Sequence, residues 1–403
     1  MSRARVLIVG GGFAGLACAL GLDARRFDVT VVDQRRHFEF IPNIHELISG
    51  LKKPADLRLP LSALLRDRGH RFRCARVATI DSAGRRITLA NGHVLEGDYL
   101  VIACGSADAN FGVAGVQRHT LALKSVEDGK TIAAGLRALR KKSGPGRVLV
   151  VGAGLAGVEA LGEVLRIRGT SNWHVQLVEA QDRPLPAAPA AASRFISDAC
   201  ADAGVTLHLG EPVSRVTAKT VVLGDGQRLR SDMTIWTGGP APPPLLADSG
   251  IAGEGAWAAV ARDLSLKGAR GVFVAGDSAE LPRPLSRQAY FALDMGAAVA
   301  DNIARLESGR RTRVLRALPR PTLLSFGATS AVLIAGRAAF EGKPLLALKE
   351  GIYTAVMAQL DRRRAKRRLP ALLQRGRLSG AQLWPLLEPR ALLAGDGALR
   401  RLR

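Results

Sequence analysis

Cysteine is scarce in this chain. The 403 residues contain four, Cys18, Cys74, Cys104 and Cys200, with no CxxC or CxxxxC pairing and no spacing that suits a metal. A disulfide framework and a zinc site are thereby unsupported, no metal is expected, and a reducing, cytoplasmic compartment is the default setting. Aromatic residues make up only 4%, which leaves few rings to stack on bases and makes nucleic acid an unlikely partner. Long apolar runs are missing as well. The charge-free stretch at residues 321–336 includes Gly327 and several polar groups and is too short to span a bilayer as a helix. The apolar start at Val6 reads as a first strand, not as a signal peptide.

Acidic residues are also short in number. Lysine and arginine total 58 against 35 acids, a formal charge of +23. That excess is uneven: residues 310–403 hold 20 basic and 5 acidic side chains. Charge gathered into one segment points to a polyanionic partner, although an arginine-rich compositional habit would also produce it. The length predicts two or three domains with real cores.

Two stretches organise the chain. Val6–Val9 runs into Gly10-Gly11-Gly12-Phe13-Ala14-Gly15 and then Thr30-Val31-Val32-Asp33, a pattern of strand, glycine turn, helix, strand and acid. Gly10 turns the chain, Gly12 lets a pyrophosphate approach the backbone, and Gly15 lets the helix lie close to the strand. Free N–H groups at the helix start hold the phosphates, and Asp33 is placed for a ribose diol. The pattern recurs at Val148–Val151, Gly152-Ala153-Gly154-Leu155-Ala156-Gly157 and Val175–Glu179. Two such units predict two dinucleotides. Glu179 at the second strand end favours NADH over NADPH, because a carboxylate repels a 2′-phosphate; Arg183 nearby argues the other way.

Between the units, residues 71–95 read as a hairpin-rich insert that contains Val77, and Tyr99–Ser106 as a buried strand ending on Gly105. Later, Met233–Gly239 closes the second unit, and Gly271–Asp277 is a strand ending in Gly-Asp before a helix near Arg287-Gln288. Asp277 can accept a bond from a ribityl hydroxyl of FAD, and the helix start can direct N–H groups at the flavin. Val77, Gly105 and Gly239 join the glycine-loop residues, Asp33, Glu179 and Asp277 as expected cofactor-binding positions.

With these residues the chain resembles the two-dinucleotide flavoprotein superfamily, and within it is similar to the type II NADH:quinone oxidoreductases over roughly residues 4 to 350. The more specific matches are Phe40-Ile41-Pro42 with Glu46 and Gly50, Asn110-Phe111-Gly112-Val113, Leu123-Lys124-Ser125, Gly157-Val158-Glu159, Trp236-Thr237-Gly238-Gly239, Gln288-Ala289 with Gly296, and Leu324-Ser325-Phe326-Gly327. The resemblance implies an α/β fold with two Rossmann-like dinucleotide-binding domains and a C-terminal basic amphipathic helical region. It implies a split FAD-binding domain (1–112 and 246–318), an NADH-binding domain (113–245) and a terminal region (319–403). It further implies non-covalent FAD, NADH as donor, a quinone as acceptor, and Glu159 and Gln288 as catalytic residues beside the nicotinamide and at the flavin face. Rivals of the same fold would use oxygen, a redox protein or a biosynthetic intermediate; a flavin-binding protein with little turnover is a third reading.

The departures matter too. Arg287 stands where the family usually has alanine, so an arginine is expected at the quinone entrance. No cysteine pair suits a disulfide reductase, and none follows Cys200 as a sulfide:quinone relative requires. In the tail, Ile352, Tyr353, Val356, Met357 and Leu360 recur at helical spacing before Asp361–Arg368. An amphipathic helix with such a flank can lie on an anionic membrane surface, peripheral on the inner face of the cell membrane. Packing on the protein itself, or a homodimer contact, would use the same stripe.

Overall fold

The computed structural model describes residues 3–142 and 144–361. Near-continuous runs of Val, Leu and Ile flanked by glycine turns form parallel strands covered on both faces. The first sheet has the order Val272–Val274, Tyr99–Ile102, Ala4–Val9, Phe27–Asp33, Arg71–Cys74, every neighbouring pair parallel. The second has the order Leu121–Ala122, Met233–Trp236, Gly146–Val151, Trp173–Glu179, Thr206–Leu209, again all parallel. Each carries an antiparallel three-stranded insert, residues 77–96 in the first unit and 213–230 in the second.

The two units repeat one another bond for bond. Gly10 N donates to Val32 O at 2.8 Å, and Gly152 N to Val178 O at 2.8 Å. Leu16 N donates to Gly12 O at 2.9 Å, and Val158 N to Gly154 O at 3.0 Å. The neighbouring strand closes each turn alike, Ala103 N on Val9 O and Thr237 N on Val151 O, both at 2.8 Å. The chain passes between the units through a two-stranded antiparallel ribbon, Ala107–Asp108 against Pro240–Ala241.

A Cβ at Gly296 would lie 2.1 Å from Ala14 O, so the long helix Ala289–Glu307 packs against the helix Phe13–Gly21 at backbone contact. Beyond it, Thr322–Phe326, Ser330–Ala335 and Ala338–Gly342 form an antiparallel sheet, followed by the helix Pro344–Leu360. Gly162, in the helix Leu155–Arg168, accommodates that sheet: a Cβ there would meet Gly327 N at 2.2 Å.

This last helix corrects one expectation. Of the stripe, Tyr353, Val356, Met357 and Leu360 pack on the core of the first unit, with Tyr353 and Met357 buried and the Tyr353 ring 5.3 Å from that of Phe40, while Ile352 stays 38% exposed. The basic run Arg362–Arg368 and the rest of the expected membrane segment lie outside the described residues.

Candidate functional site

The glycine loops sit at the carboxyl ends of the two sheets, where open α/β sheets bind their ligands. Gly10 has φ +102° and Gly152 φ +93°, so a side chain at either would be strained. A Cβ at Gly15 would lie 1.9 Å from Gly10 O, and one at Gly157 1.8 Å from Gly152 O, which is how closely helix and turn pack. At Gly12 and Gly154 nothing lies within 4 Å of that position. Both loops therefore keep a free cradle where a pyrophosphate would approach, and the residues present fit two dinucleotides.

The acids also behave as a pair. Asp33 accepts from Gly11 N at 2.7 Å and Arg35 N at 2.7 Å; Glu179 accepts from Ala153 N at 2.6 Å and Gln181 N at 3.0 Å. Each carboxylate thus secures its own glycine loop and keeps lone pairs over for a ribose. Burial pushes the Asp33 carboxyl up despite the two backbone donors. Arg183 donates to Ser193 Oγ at 3.0 Å and Pro186 O at 2.8 Å, so its guanidinium is spent on its own loop.

Near the first loop, Asp277 accepts from Ser106 Oγ at 2.8 Å, next to Gly105. Val77 opens its insert close by, since Ala75 N donates to Asp33 O at 2.9 Å. Gly239, on the second unit, accepts from Ala109 N at 3.0 Å and holds the crossing ribbon. Gln288 is the N-cap residue of the helix Ala289–Glu307, and its amide exchanges hydrogen bonds with Thr322 Oγ1 at 3.3 Å. Arg287 is engaged by its neighbours. Its guanidinium stacks 3.7 Å over Trp257, pairs with Glu280 at 2.6 Å, and donates to Asp277 O at 3.2 Å.

Glu159 is held more tightly than the sequence suggests. One carboxylate oxygen takes the Lys349 ammonium and Ser325 N (3.2 Å), and the other faces His45 Nδ1 at 3.4 Å. Lys349 also donates to Ser325 Oγ at 2.9 Å and to His45 Nε2 at 3.1 Å, so all its N–H groups have acceptors. Burial, and then the Lys349 cation, push His45 well below its usual range. The ring is therefore neutral. Because Nε2 accepts, the ring proton sits on Nδ1 and points at Glu159. Burial raises the Glu159 carboxyl while Lys349 opposes the rise.

Around it lie further buried charges: Lys52 between Glu46 (3.3 Å) and Glu350 (2.6 Å), and Glu163 with Ser49 and Arg166. His45 and Lys349 belong to no motif of the sequence, and Ser325 figures there only within Leu324-Ser325-Phe326-Gly327. One signal was available for Lys349, a lysine kept in a chain where 47 of 58 basic residues are arginine. No group of three or more metal-binding side chains occurs among the described residues.

The pyridine nucleotide-disulphide oxidoreductase family model matches residues 4–296. The chain is 28% identical over 387 residues to a type II NADH:quinone oxidoreductase of Staphylococcus epidermidis, covering 89% of this chain and 96% of that one. It is 26% identical over the same extent to the enzyme of that name from Staphylococcus aureus. Among solved structures, NDH2 from Plasmodium falciparum in complex with NADH superposes with a TM-score of 0.80 at 15% identity, covering 88% of this chain and 95% of that one. A sulfide:quinone oxidoreductase from Aquifex aeolicus has a TM-score of 0.79 at 20% identity, covering 89% and 91%. Two parallel-sheet nucleotide units with matching loops, and a family model spanning both, establish that this chain belongs to the pyridine nucleotide-disulphide oxidoreductase family.

Proposed function

We propose that the protein is an FAD-dependent enzyme that transfers two electrons from NADH to a quinone at a membrane surface. The observation that carries this is the pair of equivalent glycine cradles in one chain, coupled with likeness over nearly the whole length to type II NADH:quinone oxidoreductases. The FAD-binding set is Gly10, Gly12, Gly15, Asp33, Val77, Gly105 and Asp277. The NADH-binding set is Gly152, Gly154, Gly157, Glu179 and Gly239, with Glu179 excluding a 2′-phosphate and the Arg183 guanidinium engaged by Ser193 and Pro186. FAD, when bound, supplies the two-electron chemistry that links the nicotinamide to the quinone.

The protein's own groups orient and handle charge. The positive end of the helix Ala289–Glu307 lies at Gln288 and favours negative charge gathering in front of it. Gln288, tied to Thr322, presents an amide to the acceptor. Quinone reduction by NADH takes up one proton from solution beyond the transferred hydride. Glu159, one helical turn beyond the second glycine cradle, holds a proton together with Lys349 and neutral His45 in a buried cluster. In this reading Glu159 and Gln288 act at the reaction, and Lys349 and His45 position Glu159.

The partner surface is anionic lipid. Among the described residues no helix is long and apolar enough to cross a membrane. Arg310, Arg311, Arg313 and Arg316 are exposed beside Val314, itself 45% exposed, a basic strip with an apolar tooth. Basic residues near anionic lipid contribute about 1 kcal/mol each. An anaerobic titration tests the electron path: NADH should bleach the flavin band and a short-chain quinone should restore it. Bleaching without restoration by quinone would remove the proposed acceptor. Liposome sedimentation tests the surface. Deletion should begin at Arg362, because the helix Pro344–Leu360 is part of the folded core.

A further inference from the structure

We infer that Phe111 is an aromatic contact for the nicotinamide half of the bound nucleotide and sets how tightly that half is held. This rests on the second unit binding NADH as proposed above. Three observations converge on this side chain. Phe111 has φ +50° and is followed by Gly112 at +71°, while Val113 N donates to Asn110 O at 2.9 Å. Two central residues at positive φ are the signature of the primed turns, positions taken by Gly, Asn or Asp; a bulky aromatic there is an outlier. Such strain persists where the surroundings enforce it, and it clusters at ligand sites. Yet the surroundings give this ring little in return, since Phe111 is 72% exposed.

Its location supplies the reason. A Cβ built on Gly238 would lie 3.1 Å from Phe111 Cε2, so the edge of the ring rests over Gly238. The preceding residue, Thr237, bonds through its hydroxyl to Val151 O (2.8 Å) and Gly152 O (3.0 Å), at the turn of the second cradle. Trp236 Nε1 donates to Ala109 O at 2.7 Å and ties the stem of the Phe111 turn to the same strand end. The ring therefore stands beside the NADH cradle on a rigid mount.

Strand order tells which half of the nucleotide it meets. Met233–Trp236 lies on one side of Gly146–Val151, and Trp173–Glu179 on the other. The pyrophosphate sits at the central strand's glycine turn, and the adenosine ribose at Glu179. A dinucleotide laid across these strand ends then carries its nicotinamide riboside towards Thr237-Gly238-Gly239 and so to Phe111. An exposed ring at this edge gains buried area and stacking only when the nucleotide is bound.

The experiment uses the oxidised, FAD-loaded full chain and measures equilibrium affinity for NAD+ and, separately, for ADP, which lacks the nicotinamide riboside. Phe111→Ala is expected to weaken NAD+ roughly 10-fold, about 1.4 kcal/mol, and to leave ADP affinity unchanged. Phe111→Trp should stay within about 2-fold of the parent for both ligands, because a ring is retained. Phe111→Gly, which relieves the backbone, should melt at or above the parent temperature while showing the same NAD+ loss. Equal NAD+ affinity for parent and Phe111→Ala would overturn the inference, as would a parallel loss of ADP affinity. If the parent itself binds neither ligand, the NADH reading of the second unit falls, and this inference falls with it.

Discussion

Lys349→Met is the perturbation that most directly tests how the buried cluster is held. The substitution keeps the stem volume and removes the ammonium that Glu159, Ser325 and His45 share. Side-chain exposure is 10% for Lys349 and 13% for Glu159, so water cannot replace the lost partner, and the loss approaches the full value for a broken buried pair, about 3–5 kcal/mol. The deficit depends on pH, and its sign follows from the groups left behind. Glu159 already has a carboxyl raised by burial, and without Lys349 it rises further. Its cost is absent where it is protonated, below the ordinary carboxylate range, and grows as pH climbs through the raised value. His45, released from the Lys349 cation, regains a proton more readily and can then pair with Glu159.

Both effects make the variant's deficit against the parent shrink as pH falls from about 8 towards 5.5. Urea unfolding followed by far-ultraviolet circular dichroism, with FAD in fixed excess, measures the difference. Glu159→Gln should be destabilising alone, because it strands Lys349, whereas Glu159→Gln with Lys349→Met should recover at least about 2 kcal/mol relative to the sum of the singles. Additive losses at every pH would refute the coupling.

The glycine positions predict opposite outcomes from the same substitution. Gly154→Ala should leave the melting temperature unchanged and abolish NAD+ binding, because its methyl meets only the incoming phosphates; Gly157→Ala should cost about 1–3 kcal/mol of stability by pushing on Gly152 O, visible in urea unfolding before any ligand is added. Glu179→Gln loses the charge that rejects a 2′-phosphate, so the NADH:NADPH ratio of kcat/KM should fall at least about 10-fold; an unchanged ratio would place discrimination elsewhere. Replacing Arg310, Arg311, Arg313 and Arg316 by glutamine should cut sedimentation with anionic vesicles while leaving sedimentation with neutral vesicles unaffected; equal sedimentation with anionic vesicles would exclude the strip as a docking surface.

The glycine loops were legible in the sequence because their chemistry is local. A turn at positive φ, a close helix and an acid at the end of the next strand occupy consecutive short segments, and the structure repeats them in both units. The strand assignments at Val6–Val9 and Val148–Val151 followed from unbroken apolar runs, which only strands buried on both faces need. The helical spacing from Ile352 to Leu360 was also readable. What it was for was not, because a stripe of apolar residues carries no record of whether lipid or protein covers it. The same holds for Arg287, whose partners Trp257 and Glu280 lie 30 and 7 positions away and could not be read from its charge.

By itself, then, the sequence determined two nucleotide-binding units, their order and the glycine turns at the end of each first strand, since local backbone geometry and periodicity encode these. The tertiary structure alone decided that Glu159 is gripped by Lys349, Ser325 and His45, groups 190, 166 and 114 positions away along the chain. Burial, which sets the protonation of that cluster, is a property of everything packed around it. No single segment carries it.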